Sequence, residues 1–81
     1  MITRESEWKE FSDLVLKHIR EYTVPQYGDK GQDFLTVKSS EYCMDNIDKY
    51  IRRHGKNQRP DQDTLDLIKI AHYACVVFFK Q

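Results

Sequence analysis

The stretch from Asp61 to Lys80, DQDTLDLIKIAHYACVVFFK, constrains this chain more than any other. At about 100° per residue, Leu65, Ile68, His72, Cys75, Val76 and Phe79 make one stripe along a helix. Leu67, Ala71, Ala74 and Phe78 make a second, and Ile70, Tyr73 and Val77 a third. Past the first turn, only Asp66, Lys69 and the chain's last two residues, Lys80 and Gln81, interrupt them, with Asp63 at the helix start. A helix that is apolar nearly all round has to be covered nearly all round. Two further helices in a chain of 81 residues cannot do that alone. The expectation is therefore an all-α domain completed by oligomerisation, a homodimer or higher, with this helix supplying interface surface.

The rest of the chain supplies the partners for a three-helix domain, a helical hairpin preceded by an N-terminal helix. Residues 3–23 form the first helix. Thr3 is its N-cap, Glu5 and Glu7 stand in its first turn, and Trp8, Phe11, Val15, Ile19 and Tyr22 make its apolar stripe. Val24-Pro25 is expected to end it, because a residue before proline is pushed out of the helical region. Residues 25–38, with Gly28 and Gly31, read as a long loop. A second helix runs over 39–54, capped by Ser39 or Ser40 and stopped by Gly55. Cys43, Met44, Ile47, Tyr50, Ile51 and His54 share one of its faces. The third helix covers 61–80, with Asp61 as its cap after Pro60.

Thirteen basic side chains balance thirteen acidic ones, so no global field draws the chain to nucleic acid or to a membrane. No apolar run is long enough to span a bilayer. The two cysteines sit among apolar residues and nothing resembles a signal peptide. They are expected to be buried and reduced, in a cytoplasmic protein.

Any site must then be local, and the densest candidate is RRHGKNQRPDQDTLDL, residues 52–67. Asp63 and Asp66 are spaced i, i+3 on one helix, and Glu41 and Asp45 i, i+4 on another. Paired carboxylates on two helices are the hard-oxygen donors that Mg²⁺ requires. The same residues equally read as dipole-complementing and surface-pairing groups. Asp66, a turn into its helix, is expected to be half-buried, with Lys69 or the Tyr73 hydroxyl as its partner. Asn46, Lys49 and Arg53 along the second helix, with Lys56 and Arg59 in the turn, form a basic set suited to a di- or triphosphate. Cations at a helix C-terminus are also favoured for their own sake. QYGDKGQD, residues 26–33, lacks the spacing of a phosphate-cradling P-loop, and His18 and His72 read as core histidines.

NIDKYIRRHGKN followed by DTLDLIKIAHYA, residues 46–57 and 63–74, resembles small phage and prophage proteins of a nucleotide-kinase-like type. Their core runs N-x-x-K-Y-I-x-R-x-G-K, a short turn, then D-x-x-D-L-x-K-x-x-x-Y. The YGD of Tyr27–Asp29 and the DTLDL of Asp63–Leu67 also resemble the MazG-like and nucleotide-modification-associated helical families. That resemblance implies an oligomeric all-α fold binding nucleoside triphosphates through Mg²⁺ on paired acidic motifs. Asp63-x-x-Asp66 fits the second pair with aspartate in place of the usual glutamate, while Glu41 and Asp45 stand near the glutamate-rich first pair at a different interval. The functional expectation is a small phage-type helical module that binds nucleotides, and by resemblance a Mg²⁺-dependent MazG-like nucleoside triphosphate pyrophosphohydrolase. The alternative is a non-catalytic helical homodimer serving protein–protein interaction.

Overall fold

The computed structural model describes residues 2–28 and 39–81, which form helices and no strands. The expected all-α domain is what the chain builds. Helix α1 spans Arg4–His18, a π-helical turn Ile19–Thr23 and helix α2 Val24–Tyr27. Helices α3, Ser40–Arg53, and α4, Gln62–Lys80, follow. Their ends follow local chemistry. Thr3 Oγ1 accepts from the Ser6 N–H at 3.1 Å and Ser6 Oγ accepts from the Thr3 N–H at 2.9 Å, closing a capping box. Ser39 Oγ accepts from the Tyr42 N–H at 3.1 Å. Gly55, at φ +80°, takes the chain out of α3 through the left-handed region that glycine occupies without steric cost. His54 lies outside the helix, at ψ +131°. Asp61 occupies the cap position of α4 but makes no side-chain capping bond.

Pro25 does not end the first helical arm. Thr23 and Val24 are both right-handed helical, at φ −68° and −65°, against the expectation that the residue before proline is extended. The wide turn is the physical reason. Val24 N–H reaches back five residues to the Ile19 carbonyl, and the usual ladder resumes with Gly28 N–H on the Val24 carbonyl at 2.9 Å. The ladder shifts register where Pro25 has no N–H to offer, so the helix passes the proline instead of breaking. The expected 25–38 loop is thus helical to Tyr27, and 29–38 lie outside the described residues.

Helices α3 and α4 pack as an antiparallel hairpin, and α1 lies against α4. Cys43, Tyr50 and Ile68 are the buried apolar side chains among the described residues, with Tyr50 stacked on Tyr73 at 6.3 Å between ring centroids. Phe11, Val15 and Ile19 of the first stripe are partly covered, whereas Trp8 and Tyr22 are exposed. Met44 and Ile51 on α3 and Leu67, Phe78 and Phe79 on α4 are exposed too. Cys43 is buried as expected, but Cys75 is exposed, although it shares a face of α4 with buried Ile68, one heptad earlier. No described helix is long and apolar enough to cross a membrane.

Candidate functional site

The turn between α3 and α4 is held by its carboxylates. Asp66 is fully buried, not half-buried, and its partner is neither Lys69 nor Tyr73. Arg53 Nε donates to Asp66 Oδ2 at 2.7 Å and Arg53 Nη2 to Oδ1 at 2.6 Å, a bidentate fork. Gln62 Nε2 adds a bond to Oδ1 at 2.8 Å and Asn57 Nδ2 one to Oδ2 at 3.1 Å. Asp63 accepts from the Gly55 N–H at 3.1 Å and from Asn57 Nδ2 at 2.6 Å. These donors, Arg53 above all, bring the Asp66 carboxyl down to about 2 despite its burial. Asn57 and the Gly55 N–H hold the Asp63 carboxyl below its ordinary value in the same way. Sequence reasoning paired Arg53 with phosphate and Asp66 with metal, whereas the fold pairs them with each other. Their separation of thirteen residues across a turn falls outside any helical periodicity.

The expected Mg²⁺ ligands do not come together. Glu41 and Asp45 are exposed and lie roughly 160° and 200° around α3 from buried Cys43, on the side turned away from α4. Asp63 and Asp66 sit side by side, sharing Asn57, but the lone pairs a cation would need are already taken by nitrogen donors. Among the described residues no group of three or more His, Cys, Asp or Glu side chains is placed to share a metal ion. The donor set as folded does not fit the divalent ion that the resemblance implies, and no hydrolytic step follows from it.

The basic set is likewise dispersed. Asn46 donates to the Tyr42 carbonyl at 2.9 Å, Arg53 is committed to Asp66, and Lys56 is exposed. Lys49 Nζ stands 4.8 Å from the centre of the Tyr50 ring. Of this set only Arg59 reaches the cavity, which lies elsewhere.

A cavity of about 520 Å³ opens between the N-terminal arm and the hairpin, within the size range of small-molecule pockets. The arm contributes His18, Tyr22, Gln26 and Tyr27, which straddle the π-helical turn. The hairpin contributes Tyr50, Arg59, Asp61, Lys69, His72 and Tyr73. His18 and Tyr22 stack at 5.3 Å. The Tyr50 wall is backed by cations: Lys49 Nζ, Arg53 Cζ at 4.9 Å and Lys69 Nζ at 5.5 Å all approach its ring. Lys69 is partly buried and has no carboxylate ion pair among the described residues. Burial lowers its ammonium from the ordinary value; nearby Arg53 and Lys49 lower it further, against the opposing pull of Asp66. Burial, and then Lys69, lowers His18 as well. Burial pushes the Tyr50 and Tyr73 phenols up, so both stay neutral hydroxyls at physiological pH. The cavity wall is therefore aromatic and rich in neutral donors, with two cations, Arg59 and Lys69, against one carboxylate, Asp61.

Sequence reading missed this site because it assigned His18 and His72 to the core and ended the first helix before Gln26 and Tyr27. The signal was present in the spacing of His18, Tyr22 and Gln26, which continues the helical step past Pro25. Comparisons with protein-family models, with curated proteins and with solved structures find no match for this chain.

Proposed function

We propose that this chain is a non-catalytic helical module that binds a nucleotide in the cavity between its N-terminal arm and its hairpin. The observation that carries the reading is Lys69, a partly buried ammonium lining an aromatic cavity without an ion-pair partner among the described residues. A buried charge calls for a counter-charge. An anionic ligand supplies one, and Arg59 offers a second, guanidinium contact for phosphate. The tyrosine and histidine rings give flat faces for a base. Asp63 and Asp66 act as turn-locking groups, so binding requires no divalent ion. The sequence resemblance to nucleotide-handling families points to the same ligand class.

Calorimetric titration with nucleoside mono-, di- and triphosphates, in EDTA and in Mg²⁺, tests this. Binding is expected in both media. Lys69→Met keeps the aliphatic stem and helix propensity but removes the charge, and is expected to weaken binding about 10- to 100-fold, the value of a hydrogen bond to a charged group. Unchanged affinity in that variant, or no binding of any nucleotide by the wild type, overturns the proposal.

A further inference from the structure

The hairpin has a second side, opposite the cavity. Its two helices meet along Cys43, Tyr50 and Arg53 of α3 and Asp66 and Tyr73 of α4. At about 100° per residue, Met44, Ile47 and Ile51 lie displaced from that line in one rotational sense, and Leu67, Ala74 and Phe78 in the same sense. In an antiparallel pair, side chains displaced in the same sense fall on the same side. Leu65, Lys69 and His72, displaced the other way, face the arm and the cavity. The two helices thus present one joint apolar flank. Met44, Ile51, Leu67 and Phe78 on it are 44–63% exposed.

We infer that this flank is where a second copy of the chain packs, so that two hairpins close a two-fold four-helix bundle and leave the cavities on its outer sides. Three considerations select a second copy over another partner. Among the described residues the buried apolar set, Cys43, Tyr50 and Ile68, is small, so whatever covers the flank must be present whenever the chain folds. A second copy always is. Between Thr64 and Phe79, α4 carries no charged residue on this side, so the flank offers no charge pattern to be read by a partner of different chemistry. An uncharged surface is complementary to itself in an isologous contact. Finally, the paired helices are roughly 20 Å long and 20 Å wide in total. That footprint of roughly 400 Å² in projection is enlarged by the four protruding side chains toward the ~800 Å² per partner of a specific interface. The small Ala74 at its centre allows close helix approach.

Phe78 and Phe79 provide the test, because they are adjacent, chemically identical and point to different sides. In sedimentation equilibrium the wild type is expected to be a dimer. Phe78→Ser is expected to raise its dissociation constant at least tenfold, and Phe79→Ser to leave it within about threefold, as expected for a residue outside the contact. A wild-type chain that stays monomeric at every concentration overturns the inference, as does a dimer weakened by Phe79→Ser and not by Phe78→Ser. Should Phe78→Ser fail to fold, isotope-filtered NOEs between labelled and unlabelled wild-type protomers decide. Contacts from Met44, Ile51, Leu67 or Phe78 support the interface, whereas contacts confined to Trp8, Leu14 or Leu16 on α1 refute it.

Discussion

Asp66→Asn is the sharpest perturbation of the hairpin turn. The substitution keeps the shape of the side chain but removes its charge and turns an amide N–H₂ toward nitrogen donors. The carboxyl titrates at about 2 in the fold against 3.8 in a solvated chain, a difference that contributes about 2.5 kcal/mol at neutral pH. One oxygen of the fork is also replaced by a group that cannot accept from Arg53 or Gln62. The expected loss is about 3 kcal/mol, at the low end of the roughly 3–5 kcal/mol for breaking one side of a buried pair. For a domain of this size that lowers Tm by on the order of 10–25 °C. The pH dependence has a definite sign. The folded pKa is depressed, so the contribution is fully present above the unfolded value and is lost as pH falls from about 5 to about 2. The Asn variant lacks this component, and the two proteins converge in acid. Melts followed by circular dichroism from pH 2.5 to 7, at one fixed protein concentration because self-association shifts Tm, measure both effects. Replacing both partners, Arg53→Met with Asp66→Leu, is expected to recover much of the loss, since a buried pair exchanged for apolar groups is often neutral. An Asp66→Asn protein melting within about 3 °C of wild type at pH 7, with the same acid slope, refutes the turn-locking role.

Gly55→Ala is expected to cost about 1–2 kcal/mol by denaturant titration, because its φ is +80° while the added methyl meets nothing within 4 Å. The loss is one of backbone conformation alone, so Gly55→Asn, which tolerates the left-handed region better, is expected to cost less. In the native protein a thiol reagent is expected to label Cys75 rapidly and Cys43 only on unfolding, since Cys43 is fully buried and burial raises its thiol pKa. Equal labelling rates for the two cysteines contradict this packing of α3 against α4.

Much of the fold was legible because it rests on periodicity and caps. The helical spans of α3 and α4, the Thr3 and Ser39 caps and the Gly55 stop are local signals, and each is seen in the structure. What failed depends on geometry between elements. A single proline was read as a helix end because propensity rules describe an α-helical ladder, and they do not anticipate a π-turn that shifts the register around it. The i, i+3 spacing of Asp63 and Asp66 points to a shared metal ion, and a buried carboxylate does call for a cation. The requirement held, but the cation is Arg53, thirteen residues earlier, brought there by the turn. Glu41 and Asp45 lie opposite the apolar stripe of α3, and that placement was already visible as a reason they would face solvent. The cavity is composed of side chains from all five helical elements and the turn between α3 and α4, so no single motif could announce it.

Heteronuclear correlation spectra recorded during titration with a nucleoside triphosphate test the central claim most directly, since they report where a ligand sits as well as whether it binds. The expected amide shifts fall on His18, Tyr22, Tyr50, Lys69, His72 and Tyr73, are the same with EDTA or Mg²⁺, and leave Glu41, Asp45 and Lys56 unmoved. Shifts centred on Glu41, Asp45, Asp63 and Asp66 that appear only with Mg²⁺ would contradict the account and place a metal-dependent site on the carboxylates instead.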